Sequence, residues 1–421
     1  MKIYKHILIA FFVIIANSIK AQNSISFYNL GDYVVQTQNV SAVYLPKNDF
    51  TFGLPGIGFN VNAPFQLNEL FVKNSTTNNL DTNFDNLLPN TQALNHSEIN
   101  INASIFMLAF KIKKGSISLF ANSKLTKNWQ YTDQFIKVAA TGIDDFDLSN
   151  NQLNITAYNE IGVGITKQFM KDKLAVGVRL KYLNGIAHAS IKDNASLSLA
   201  IDPSNQVWNI TAANATIKTS GVNSEEASLF TGNSGFGMDF GATYQLSEKW
   251  VIELNVNDIG TINWSENNTN YNIKDTQGTT FSGVDLEGNI ATGIESTLNT
   301  VFLPTESVEN FSSKLTTNTY FSAKYFANEK NVFSAVFGNN FVFGSPKSNY
   351  ALGYNRMHKK ATYGLLTSID SQNKKIKFGG NAAVNLGPFQ LYVATDNFLN
   401  AFGKVQEISQ SNLNIGMNLI F

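Results

Sequence analysis

Apolar residues return at every second position through much of the chain from Phe50 onward, and the last nine residues are the clearest case. Leu413, Ile415, Met417, Leu419 and Phe421 fall on one face of an extended strand, with Asn414, Gly416 and Asn418 on the other. A period of two with one apolar face predicts a strand that meets two different environments. The same pattern recurs in residues 235–260. Phe236, Met238, Phe240, Ala242, Tyr244 and Leu246 share a face, opposite Gly235, Gly237, Asp239, Gly241, Thr243 and Gln245. The return strand carries Trp250, Ile252, Leu254 and Val256 against Glu253 and Asn255. Later, Ile376, Phe378, Ala382, Val384 and Leu386 lead through Gly387-Pro388 to Phe389, Leu391 and Val393.

The connections alternate in length. Short ones lie near Lys113-Lys114, Lys171-Asp172, 247–249, 328–330, 358–360 and Gly387-Pro388, and longer polar ones at 128–151, 260–313 and 397–411. Tight turns at one end and long loops at the other predict an all-β fold, a transmembrane antiparallel β-barrel with lipid outside and a polar lumen inside. A two-residue turn at Lys171-Asp172 pairs Met170 with Lys173. That register sets Val163 opposite Leu180 and Ile165 opposite Val178 on the lipid side. It sets Gly162 opposite Lys181 and Gly164 opposite Arg179 in the lumen, where glycine leaves room for the long cation. Lumen-side changes such as Gly177→Ser are expected to be mild, unlike Val178→Arg on the lipid side. Residues 191–220 read either as two more wall strands or as a hairpin standing above the wall, giving sixteen strands or fourteen. Only the fourteen-stranded reading makes Arg179 and Asp239 neighbours.

The amino terminus has Lys2 and Lys5, an apolar run at 7–16, and then Asn17-Ser18-Ile19-Lys20-Ala21, which reads as a secretory signal over 1–21 cut after Ala21. Residues 22–48 precede the first convincing strand and are expected at the barrel mouth or in the lumen as a plug, with the barrel at 49–421. Beyond the signal no stretch approaches the ~18 apolar residues of a membrane helix. A mean hydropathy of −0.10 and 15% charge are compatible with a barrel, because only alternate residues face lipid. The 32 Phe and 15 Tyr suit aromatic girdles at two interfaces. Lys+Arg and Asp+Glu balance at 31 each, so no basic footprint for nucleic acid exists. With no cysteine, acylation, disulfides and thiolate metal sites are excluded.

Candidate chemistry is sparse. Of four histidines, His6 lies in the signal, His96 and His188 in expected loops and His358 in a short turn, without ligand spacing between them. No nucleophile elbow or placed Ser/His pair is present, so a non-enzymatic protein without cofactor or metal is expected. Asp144-Asp145-Phe146-Asp147-Leu148-Ser149 offers alternate oxygens but lacks the turn glycine and closing glutamate of an EF-hand. The inward charges Glu160, Arg179, Lys181, Asp239, Glu253, Lys324 and Lys377 form the constellation with content, as a polar conduit, a plug-binding surface or structural lumen filling.

Three further stretches carry a resemblance. They are Gln36-Thr37-Gln38-Asn39-Val40-Ser41-Ala42-Val43-Tyr44-Leu45-Pro46 with Phe52-Gly53-Leu54-Pro55, Tyr158 to Gly164 with Lys173 to Gly185, and Asp258-Ile259-Gly260-Thr261-Ile262-Asn263-Trp264. They resemble a Bacteroidota family of outer-membrane proteins of unknown function, distantly similar to FadL-type transporters of hydrophobic compounds and to the type IX secretion barrel PorV. Related barrels usually show Asn-Pro-Ala where this chain has Asn39-Val40-Ser41-Ala42. The resemblance implies a fourteen-stranded FadL-like barrel with an amino-terminal plug in the bacterial outer membrane, exported through the periplasm. It further implies that Leu413, Ile415, Met417, Leu419 and Phe421 serve as an assembly signal for the barrel-assembly machinery. The expected partners are outer-membrane lipid and either a hydrophobic or small ligand or, alternatively, an envelope protein docked as in secretion or gliding machinery.

Overall fold

The computed structural model describes residues 25–73, 80–141, 146–147, 150–191, 195–202, 207–213, 215–222, 228–280, 304–343, 345–371, 376–398 and 409–421. The signal-peptide reading of 1–21 and most of the acidic stretch 144–149 lie outside these residues. Fourteen antiparallel strands make a closed barrel: β1 (Phe50–Asn62), β2 (Leu94–Ile112), β3 (Gly115–Thr132), β4 (Gln152–Phe169), β5 (Leu174–Ile191), β6 (Ser234–Gln245), β7 (Trp250–Trp264), β8 (Asn318–Asn328), β9 (Asn331–Val342), β10 (Ser345–Met357), β11 (Ala361–Asp370), β12 (Ile376–Leu386), β13 (Phe389–Thr395) and β14 (Gln410–Ile420). Closure comes from β1, which pairs with β2 on one side (Phe52↔Leu108) and with β14 on the other (Phe52↔Leu419). The ends of the wall meet in two backbone hydrogen bonds, Phe421 N to Phe50 O at 2.9 Å and Phe50 N to Phe421 O at 3.2 Å. With no free edge, every wall strand has partners on both sides, as a lipid-facing sheet requires.

The hairpin register is the one that its two-residue turn dictates. Val163 faces Leu180, Ile165 faces Val178, Gly162 faces Lys181 and Gly164 faces Arg179. At Gly387-Pro388, Gly387 has φ +66°, the positive φ that a primed hairpin turn places at its first central residue, so Leu386 and Phe389 pair directly. Pro55 would interrupt a regular ladder. It sits where the β1–β14 register slips between Gly53 and Gly56, a bulge that tolerates the missing donor.

Of the stretch 191–220, Ile191 ends β5 and the described residues beyond it add no wall strand, because β5 pairs directly with β6 from Asn184↔Ser234 to Leu174↔Tyr244. Ser196–Asp202 and Val207–Ala213 instead join Phe146–Asp147 and Thr276–Thr280 in a separate four-stranded sheet. Thr216–Ser220 pairs with the far end of β5 and with Asn268–Asn272. The sixteen-stranded alternative is therefore excluded. Several wall strands run past the ~9–11 residues that a bilayer crossing needs. In β2 and β5, with 19 and 18 residues, this puts His96 and His188 in strands rather than in loops. The expected loop at 128–151 likewise begins with the end of β3 and a helix at Asp133–Thr141.

Apolar side chains face outward around the wall, with Phe236 at 76% and Leu352 at 64% exposure, while the alternate positions are buried. Aromatic pairs cluster near the short-turn end: Phe50 with Phe110 at 4.9 Å and Phe421 at 6.0 Å, Trp250 with Tyr325 at 5.0 Å, and Phe333 with Tyr354 at 5.3 Å between ring centroids. An apolar belt edged by aromatic rings is what two solvents in layers select.

Candidate functional site

The lumen holds the chain's own amino-terminal residues. A short helix Ile25–Tyr28 and 3-10 turns Gly31–Tyr33 and Val35–Asn39 bury Phe27, Leu30, Tyr33 and Val34 against Ala383, Tyr392 and Ala394 of β12 and β13. Ile25 and Tyr28 pack on Tyr320, Val336, Ala351 and Leu366, and Val35 and Tyr44 on Met107, Ala109 and Phe120. Irregular backbone inside a barrel must find hydrogen-bond partners in the wall, and it does. Asp396, just past β13, accepts from the Ile25 amide at 3.0 Å and the Ser26 amide at 2.7 Å. Gln390 Nε2 donates to the Tyr33 carbonyl at 2.8 Å, Asn257 Nδ2 to the Val40 carbonyl at 2.8 Å, and the Ala42 amide donates to Asn255 Oδ1 at 2.9 Å. Arg179 donates to the Gln38 carbonyl.

Small inward residues make the space for this segment. A Cβ at Gly177 would collide with the Ala42 carbonyl, and one at Gly53 with Val35 and Gln36. The expectation that Gly177→Ser is mild therefore does not hold: the lumen there is filled by protein backbone rather than by water.

The seven predicted lumen charges do not form one constellation. Four of them, Glu160, Arg179, Lys181 and Asp239, gather in the wall with Lys124 and Asp258. Lys181 Nζ lies 2.7 Å from Asp239 Oδ1, 2.7 Å from Asp258 Oδ1 and 3.5 Å from Glu160 Oε2. Lys124 Nζ lies 3.1 Å from both Glu160 Oε2 and Asp258 Oδ1. Arg179 Nη1 reaches Asp239 Oδ2 at 3.1 Å, the neighbour relation that only fourteen strands permit, and its guanidinium stacks on Phe120 at 3.8 Å. Three cations thus neutralise three anions. Glu253 pairs separately with Lys324 at 3.0 Å and also accepts from Ser41 Oγ at 2.8 Å, and Lys377 pairs with Asp370 at 3.0 Å. The separation follows from strand position: Lys324 on β8 reaches Glu253 on the adjacent β7, two residues from its register partner Val251, and Lys377 on β12 reaches Asp370 on the adjacent β11.

Sequence reading missed Lys124, Asp258 and Asp396. Lys124 shares the polar alternation of Asn122, Thr126 and Asn128 on β3, so the period-two signal was there to find it. Asp258 was not legible in that way, because the β6–β7 register shifts between Met238 and Phe240 and puts Asp258 at φ +60°. From that bulge its amide donates to Asp239 Oδ1 at 2.7 Å while its carboxylate meets both lysines. A Glu98–Lys347 pair at 2.5 Å, between β2 and β10, was also missed.

On the long-loop side of the segment a cavity of about 120 Å³ remains. Phe27, Asn39 and Val40 of the segment line it together with Asn60, Asn102 and Asn340 from β1, β2 and β9. Tyr158, Tyr320 and Phe59 add rings to the lining, and Lys124, Asp258 and Lys314 add charge. Among the described residues no group of three His, Asp or Glu side chains is arranged to hold a metal ion. The five residues read as an assembly signal stand on the outward face of β14, with Phe421 63% exposed and Asn418 fully buried on the lumen side.

The solved structure of the Ralstonia pickettii toluene transporter TbuX superposes with a TM-score of 0.50 at 8% identity, covering 97% of this chain and 97% of that one. A FadL homologue from Pseudomonas aeruginosa (TM-score 0.43, 9% identity, 95% and 96% covered) and the P. putida toluene transporter TodX (0.42, 9%, 96% and 95%) are more distant in shape. The likeness to the first establishes a FadL-like barrel fold. No curated protein matches the sequence. The model of a family of unknown function, DUF5723, matches residues 44–396, most of the chain, and the protein belongs to that family.

Proposed function

We propose that this protein is a bacterial outer-membrane channel that admits small or hydrophobic molecules past an amino-terminal plug, and that it is not an enzyme. The observation that carries the reading is the lumen itself, occupied by residues 25–44 and widening beyond them into a cavity. A cavity beside this segment favours passage through the barrel over docking alone. In this reading the short turns face the periplasm and the long loops face outward, the usual disposition of such barrels. The apolar belt and aromatic rings support a place in lipid, and the toluene transporter of the same fold supports a route for small solutes. Reconstitution in lipid vesicles tests it. Wild-type protein should carry small solutes such as toluene or short sugars faster than empty vesicles, and Asp396→Ala, which frees Ile25 and Ser26, should raise ionic conductance. Permeability equal to that of empty vesicles for every solute would sink the reading.

A further inference from the structure

We propose that the lumenal cavity binds a small, neutral, polyhydroxylated molecule of about monosaccharide size. The inference rests on the channel reading for the route by which such a molecule arrives, and adds the chemistry of what is held. A cavity of about 120 Å³ has room for about ten water-sized groups at roughly 10–15 Å³ each, which is the scale of a single sugar ring. The amide oxygens of Asn60, Asn102 and Asn340 around it are buried and receive no hydrogen bond from the protein. Asn60 already spends its Nδ2 on Glu98 Oε1 at 3.3 Å, so that its orphan atom is an acceptor. Buried acceptors call for donors, and hydroxyl groups supply them where a hydrocarbon cannot. Phe27, Tyr158 and Tyr320 line the same cavity and give it an aromatic wall against which the C–H groups of a pyranose or furanose can pack. The buried charges of Lys124 and Asp258 are already matched to each other and to Glu160 and Lys181, and Lys314, which also lines the cavity, is exposed, where solvent screens its charge. A neutral ligand is therefore favoured over an ion. A site built around such acceptors discriminates against analogues that lack hydroxyls, because those leave the acceptors unpaired.

The test is calorimetric titration of the purified full-length barrel with glucose, arabinose and toluene, alongside flux of the same three solutes into vesicles. Saturable binding of at least one sugar is expected, weakened tenfold or more in Asn102→Leu and in Asn340→Leu, with toluene unable to displace it. Heat-modifiable migration establishes that each variant is folded, and the two changes lie in different strands, so that one failure to assemble leaves the other. Absence of sugar binding to the wild-type barrel, sugar binding unchanged in both variants, or toluene displacing the sugar would overturn the proposal. Sugar binding without flux of any solute leaves the site standing and removes the channel. Flux without saturable sugar binding does the reverse.

Discussion

Lys181 is the residue on which most of the wall cluster depends, since its ammonium is within 3.5 Å of three carboxylates and its side chain is 1% exposed. Replacing one member of a buried, paired set leaves the others uncompensated, and such losses cost about 3–5 kcal/mol. Lys181→Met should therefore lower the urea midpoint of the folded barrel in vesicles far more than Lys171→Met at the exposed turn. Equal midpoints would show that the cluster contributes nothing to stability. Gly177 and Val178 are adjacent and face opposite ways. Val178→Arg puts a charge toward lipid at a cost of about 2–4 kcal/mol near the bilayer midplane. Gly177→Ser drives a side chain into the Ala42 carbonyl, and overpacking of that kind costs about 1–3 kcal/mol. Unfolding in vesicles should show both losses; an unperturbed Gly177→Ser barrel would mean that residues 25–44 do not occupy the lumen.

Two elements carry separable tasks. On β14, Phe421 is exposed, stacks on Phe50 and closes the wall through its backbone. Deleting it, or changing it to Asp, should deplete folded, heat-modifiable protein from outer-membrane fractions, and normal levels would remove its role in assembly. The amino-terminal segment hangs from Asp396 at one end and from Asn255, Asn257 and Gln390 along its length. Leu30 is 4% exposed in it. In this cysteine-free chain, maleimide labelling of Leu30→Cys should be slow and become tenfold faster when Asp396→Ala is added. Fast labelling without the second change would show a segment that is not held.

For the whole molecule, closure is the decisive property. Asn60 on β1 and Asn412 on β14 are register partners, both buried on the lumen side. Cysteines at the two positions should be joined by a short bifunctional reagent, tying the first wall strand to the last and changing gel mobility. Neighbouring strands are ~4.8 Å apart, so an open sheet, in which the first and last strands are separated, would give no such product.

Much of this was legible along the chain because a strand's side chains alternate without reference to anything distant. The lipid face of Val163, Val178 and Phe236, the turn at Lys171-Asp172 and the lumenal side of Arg179 and Asp239 all follow from a period of two and a tight turn. The fate of 191–220 was not legible, since alternation is the same for a wall strand and for a hairpin above the wall. Only the direct pairing of β5 with β6 decided it. Asp258 escaped because a bulge breaks the period on which the reading relied. The tolerance expected of Gly177 failed for a related reason: what fills a lumen is set by a segment more than a hundred residues away in sequence. Local periodicity therefore determined the barrel, its two faces and its register. The strand count, the partition of the charges and the filling of the lumen arise from contacts between distant residues, and only the tertiary structure decided them.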